Sequence, residues 1–207
     1  MQNRRITFAR VPQGLPVLED FGSDVTDVPA PAAGEFLSQT LWLSLDPYLR
    51  NVMKGSQIYQ TQLAPGDAMA GDTVARVVES RHDAFRAGDY VVVKNGWQEY
   101  AVSNGQGVRK VDPALAPIST ALGVLGMPGL TGYAGLVYLG EPRPGQTVLV
   151  SAATGPVGST VGQVARLVGA RPVGIAGSDE KCRYAVETLG FADCINYRTG
   201  DLRESLR

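Results

Sequence analysis

The sequence predicts an α/β plus β architecture, with a β-rich N-terminal domain over residues 1–120 and part of a doubly wound parallel sheet over residues 121–207. Three observations carry this. Short apolar stretches separated by Gly, Pro, Asp and Asn fill the first half. After Pro113 the texture changes, and from Gln146 the pattern alternates β-α-β-α-β. A glycine-containing turn, Ala152-Ala153-Thr154-Gly155-Pro156-Val157-Gly158, joins the first strand of that alternation to its helix.

In chain order, residues 36–45, 73–78, 90–94 and 97–102 read as strands. A short helix is expected after Asp46-Pro47, where Asp can cap and Pro suits the first helical position. Residues 118–139 carry no charge and are rich in Gly, Leu and Ala, which suits a buried helix linking two domains. A turn follows at Gly140-Glu141-Pro142-Arg143-Pro144-Gly145. Thr147–Ser151 is apolar, as a strand at the centre of a parallel sheet should be. Residues 157–168 have helical spacing, with Val157, Val161, Val164, Ala165 and Val168 on one face. Residues 172–176 form a second strand, 179–189 a second helix, Asp193–Asn196 a third strand, and 201–207 the opening of a third helix.

Composition excludes several function classes. The 207 residues carry 19 basic and 20 acidic groups, a net charge of −1, so nothing electrostatic favours nucleic acid or an anionic membrane. No apolar run follows the basic start, and residues 6–20 carry prolines, so neither a signal peptide nor a membrane helix is expected and the cytoplasm is the expected address. Cys182 and Cys194 lie in the α/β part, where two free thiols are expected. A catalytic zinc is not expected, because the one histidine, His82, sits in a polar stretch and both cysteines lie beyond the glycine turn, and a structural zinc is not expected because four clustered Cys or His ligands cannot be assembled. His82 reads as a surface residue. No G-x-S-x-G elbow supports a hydrolase.

Set against G-x-G-x-x-G, the turn has Ala153 in place of the first glycine and matches at Gly155 and Gly158. Gly155 would let the backbone approach a pyrophosphate, and the helix beginning there offers unpaired N–H groups and a positive dipole end. Gly158 and Gly162 would let that helix pack closely on the strand. The alternative is a tight βα turn whose small residues serve packing alone. At the tip of the second strand, Ala176-Gly177-Ser178 carries no acid to bond a ribose diol, and Asp179 is placed to cap the next helix. Lys181 and Arg183 could meet a 2′-phosphate, which favours NADP(H) over NAD. The plainer reading of Lys181 is a solvated helix residue.

Five stretches resemble the leukotriene B4 dehydrogenase, prostaglandin reductase and curcumin reductase branch of the zinc-free medium-chain dehydrogenase/reductase family. They are Leu45-Asp46-Pro47-Tyr48-Leu49-Arg50, Gly96-Trp97-Gln98-Glu99-Tyr100, Gly126-Met127-Pro128-Gly129-Leu130-Thr131-Gly132-Tyr133, the phosphate turn continued to Gln163, and Gly177-Ser178-Asp179-Glu180-Lys181-Cys182. The resemblance implies a GroES-like β-rich domain and a Rossmann domain with the active site in the cleft between them. It also implies NADPH-dependent reduction of the carbon–carbon double bond of α,β-unsaturated aldehydes or ketones. By the same resemblance Gly155, Pro156, Val157 and Gly158 would contact the pyrophosphate. Gly177, Ser178, Lys181 and Tyr197 would surround the 2′-phosphate, and Met127 and Thr131 would lie near the nicotinamide. Hydride transfer to the β-carbon leaves an enolate that needs a hydrogen-bond donor and a proton. Tyr48 and Tyr59 are the candidate donors, each with packing as the plainer role. Tyr133 reads as part of the helix packing.

A six-stranded nucleotide-binding unit needs about three strands more than are visible after Gln146, at roughly 30 residues per βαβ step. The Rossmann domain is therefore expected to be incomplete, and its exposed sheet edge to favour self-association or a complementing chain. Two other functions stay open: a binding module without catalysis, and an NADPH quinone reductase.

Overall fold

Strands β1 (Gln2–Phe8) and β2 (Phe21–Asp27) form a two-stranded antiparallel ribbon in which Arg5 lies opposite Asp24 and is ion-paired to it. Neither was foreseen, because the segment is largely polar. Asn3 and Thr7 are its buried polar side chains, and Asn3 donates to the Tyr100 carbonyl (3.0 Å) and accepts from the Tyr100 amide (2.9 Å). Hydrogen bonds of this kind hold the ribbon in place together with Phe8, which is buried with Met53 and Met69 and has Phe21 packed beside it.

The computed structural model describes residues 1–55, 62–199 and 202–205, which divide into two compact units, Met1–Leu122 and Gly123–Arg207. In the first unit, β3 (Phe36–Leu43), β4 (Thr73–Ser80), β5 (Tyr90–Val93), β6 (Tyr100–Ser103) and β7 (Arg109–Val111) make an antiparallel sheet in the order β6-β3-β4-β5-β7. Phe36, Ala75, Val77, Phe85, Val91 and Val93 form its core. The strand expected from Trp97 begins only at Tyr100, since residues 97–99 bond elsewhere: the Trp97 amide donates to Met69 O (2.7 Å) and the Ile6 amide to Trp97 O (2.8 Å). His82 is no free surface residue. Its ring packs edge-on against Phe36 and Phe85, and its Nδ1 accepts from the Ala84 amide. Helix α1 (Leu49–Met53) starts later than Asp46-Pro47 suggests, with Tyr48 at its N-cap position.

In the second unit the uncharged stretch is not one buried helix. A 3-10 turn (Ile118–Leu122) closes the first unit, α2 (Met127–Ala134) opens the second, and a π-helical turn (Gly135–Gly140) continues it. Leu130 and Leu139 are exposed, and Tyr133 stacks edge-on with Tyr138 on the surface and is not part of the packing. Strands β8 (Thr147–Ser151), β9 (Arg171–Ala176) and β10 (Asp193–Asn196) are parallel, in the order β10-β9-β8. Helices α3 (Pro156–Leu167) and α4 (Asp179–Glu187) connect them, and α5 (Leu202–Ser205) follows.

Thr147–Ser151 is a strand of the parallel sheet, as read. Among the described residues β8 pairs with β9 alone, and Leu149 is 47% exposed. The apolar face of α3 is mostly as read: Ala165 is buried, with Val161 and Val164 packed beside it, whereas Val168 lies at the helix end and faces solvent. No helix among the described residues is long and apolar enough to cross a membrane.

Candidate functional site

The turn after β8 is built around one strained residue. Ala152 has φ of +48°, a left-handed conformation that costs a residue with a Cβ of order 1 kcal/mol. Its carbonyl accepts from the Gly155 amide (2.8 Å), while the Ala153 amide donates to Ile175 O on β9 (3.1 Å). The missing first glycine is thereby explained. The left-handed position belongs to Ala152, and the Ala153 methyl is buried in the core with Val150, Ala185 and Phe191.

Gly155 is the N-cap of α3 and contributes no side-chain cap, and Pro156 follows with no N–H to satisfy. The Val157 and Gly158 amides therefore point out of the helix start with the dipole behind them, the arrangement that receives an anion. Gly158 is fixed by backbone: a Cβ there would lie 2.4 Å from Ala152 O and 3.0 Å from Ala153 Cα, so neither neighbour can yield. Gly162 serves differently from its expected role, since a Cβ on it would meet the Phe191 ring and not the strand. Gly132 brings α2 against α3, its Cβ position lying 3.0 Å from Val157 O. On α2, Thr131 Oγ1 donates to Met127 O (2.7 Å), so these two candidates sit one turn apart on one helix.

At the end of β9, Ser178 and not Asp179 caps α4, its Oγ accepting from the Lys181 amide (3.3 Å). Asp179 is the first helical residue, and its Oδ1 accepts from Asn196 Nδ2 (2.7 Å). Tyr197 follows β10, its amide donating to Ala176 O (3.2 Å). A Cβ on Gly177 would lie 3.1 Å from the Tyr197 hydroxyl, so a side chain at Gly177 would displace that ring. The structure thus brings Gly177, Ser178, Lys181 and Tyr197 to the ends of neighbouring strands. Arg183 does not join them, because residues two apart on a helix face different sides. Arg198 does: its guanidinium carbon lies 5.8 Å from the Tyr197 ring centre. Its only signal in the sequence was a basic residue beside that tyrosine.

In the first unit, half-buried Tyr48 lines a cavity of about 280 Å³ with Asp72, Lys94, Asn95 and Gln98. Burial holds the Asp72 carboxyl above the ordinary carboxylate range, with Lys94 pulling it back and Asp46 pushing it further up. Asn95 is fixed from within, donating to Ser38 Oγ (3.0 Å) and Thr40 Oγ1 (3.2 Å), and it accepts from Gln98 Nε2 through its carbonyl (2.6 Å). Asp72 and Lys94 were not anticipated. The available hint was a lone acid, after Gly71, at the head of the apolar strand β4. Tyr59 lies outside the described residues.

Cys182 and Cys194 are both free, and burial together with the neighbouring Cys182 pushes the Cys194 thiol up to about 12. Among the described residues no three His, Cys, Asp or Glu side chains cluster as metal ligands would.

Comparison with known proteins adds to this geometry. Residues 4–111 match the family model described as the N-terminal domain of oxidoreductase. The chain is 46% identical over 205 residues to the NADPH-dependent curcumin reductase of Escherichia coli, covering 99% of this chain and 59% of that protein. It is also 46% identical over 199 residues to prostaglandin reductase 1 of Rattus norvegicus, covering 94% and 58%. The crystal structure of CurA from Vibrio vulnificus in complex with NADPH superimposes with a TM-score of 0.92 at 44% identity, over 98% of this chain and 60% of that one. The chain therefore spans well under two thirds of the length of these relatives.

Proposed function

This chain belongs to the medium-chain dehydrogenase/reductase family, in the branch of the curcumin and prostaglandin reductases, and we propose that it takes part in NADPH-dependent reduction of the carbon–carbon double bond of α,β-unsaturated aldehydes or ketones. One observation carries the cofactor half of this reading. The turn from β8 to α3 presents uncapped amides at a helix start whose glycine cannot be replaced without moving backbone. In this reading residues 1–120 serve the substrate and 121–207 the nucleotide.

When bound, NADPH would supply the hydride that goes to the β-carbon. The chain's own residues have separable tasks. The Val157 and Gly158 amides, with Gly155 and Pro156 leaving the approach open, would hold the pyrophosphate. Lys181 and Tyr197, on a backbone shaped by Gly177 and Ser178, would hold the 2′-phosphate through charge-assisted hydrogen bonds. Met127 and Thr131 would border the nicotinamide. The Tyr48 hydroxyl would donate to the carbonyl oxygen as negative charge develops there, with Tyr59 the second candidate donor. Any self-association or complementing chain would use the free side of β8, which has a strand neighbour on one side only among the described residues. A clean monomer in sizing experiments would count against that association.

The first experiment is titration of the purified chain with NADPH and NADH, followed by fluorescence of the reduced nicotinamide. Preferential saturation by NADPH supports the reading and makes an enone assay, with a quinone as competing acceptor, the next step. Failure of both to bind removes the cofactor site, and with it the enzymatic reading of this chain.

A further inference from the structure

Asp179 stands where an acid is unwelcome if a phosphate is to bind. It opens α4 immediately after Ser178, and its Oδ1 is bonded by Asn196, the residue before Tyr197, so a 2′-phosphate held between Lys181 and Tyr197 would approach a carboxylate of like charge. An acid just past the second strand is also the group that bonds a ribose diol in NAD-selecting sites. The structure gives this carboxylate a partner. Asn196 Nδ2 donates to Asp179 Oδ1 at 2.7 Å, while Asn196 Oδ1 accepts from the Arg198 amide at 3.1 Å. One asparagine thus ties the acid at the start of α4 to the backbone that presents Tyr197 and Arg198.

We propose that Asn196 is a cofactor-specificity residue: by holding the Asp179 carboxylate through its amide, it keeps that charge from opposing the 2′-phosphate of NADPH or accepting from the ribose of NADH. The inference rests on the NADPH reading above. The Asn196–Asp179 bond is exposed and contributes little to stability by itself. Its effect lies in where it fixes a negative charge. Asn196 acts through Asp179 and is a positioning residue.

The test measures dissociation constants for NADPH and NADH on the 207-residue chain, with the melting temperature as a check on folding. For Asn196→Ala the NADPH constant rises about tenfold, as expected for one freed charge near a phosphate at moderate ionic strength, while the NADH constant falls or stays within about twofold. The double variant Asn196→Ala/Asp179→Asn binds NADPH as Asp179→Asn alone does, whereas a merely structural role for Asn196 would weaken NADPH equally in both backgrounds. An unchanged NADPH-to-NADH ratio in Asn196→Ala, or parallel loss of both without rescue, overturns the proposal while leaving the NADPH reading intact. Equal affinity of the unaltered chain for the two cofactors overturns both.

Discussion

The sheets of the two units bury their strands very differently. In the N-terminal unit β4 lies between β3 and β5, and Phe36, Val77 and Val91 are fully buried. In the C-terminal unit β9 is the one strand flanked on both sides among the described residues, and the equally apolar β8 leaves Leu149 half exposed. Stability in the first unit comes from apolar burial behind antiparallel strands. In the second, tight tolerance is concentrated along α3, at Gly158 against backbone and at Gly162 against the Phe191 ring. Apolar sequence therefore marks a strand but does not say how many neighbours it has.

The contrast can be broken most directly by truncating one apolar side chain in each sheet. Phe36→Ala should cost about 3–5 kcal/mol in urea denaturation, the usual loss for a buried aromatic. Leu149→Ala should cost about 1 kcal/mol or less, as for a partly exposed position. Equal costs would mean that the β8 edge is covered in solution and the contrast is lost.

A second variant sharpens the point about α3. Gly158→Ala drives a methyl into the Ala152–Ala153 backbone, so we expect a loss of about 1–3 kcal/mol from overpacking, together with the loss of most NADPH binding in a fluorescence titration. Retained binding would show that the turn can relax and that its glycine serves packing alone. Lys181→Ala should disturb neither core, and should weaken NADPH about tenfold, the scale of one exposed charge-assisted hydrogen bond, with NADH unaffected. An equal loss for both cofactors would remove Lys181 from the 2′-phosphate site.

The smallest effect concerns Asp72, the half-buried acid that lines the cavity with Tyr48. Because burial raises the Asp72 pKa in the folded chain, its charged form opposes folding at neutral pH. The stability this group contributes is fully present below its unfolded pKa and is lost as pH rises through the raised folded value. Asp72→Asn should therefore be slightly more stable than the parent at pH 7, with the advantage shrinking as pH falls into the ordinary carboxylate range. Thermal melts at several pH values check this, and a pH-independent difference would contradict it.

The alternation after Gln146 was legible because parallel strands and amphipathic helices write different periods into the sequence, and β8, β9, β10 and α3 lie close to where those periods end. The tight turn from β8 into α3 was legible through Gly155 and Gly158. Three features were not. The ribbon of β1 and β2 is held by Asn3 and by the Arg5–Asp24 pair, contacts between residues far apart in the chain that leave no periodic trace. The cap of α4 was misread because Ser178 and Asp179 are both good capping residues, and only the backbone conformation decides between them. Asp72 looked like a strand boundary, and its burial beside Tyr48 depends on β4 being inside the sheet.

The parallel sense of β8, β9 and β10 also gives the C-terminal unit two unlike rims. Ser151, Ala176 and Asn196 end their strands on one rim, and every candidate cofactor contact from Gly155 to Tyr197 follows directly from those ends. Gln146, Ala170 and Ala192 precede their strands on the other rim, which lies about 17 Å away for a five-residue strand. A fluorophore or immobilisation tag attached at the Arg143–Gln146 turn would therefore sit at the opposite ends of the strands from the candidate cofactor residues.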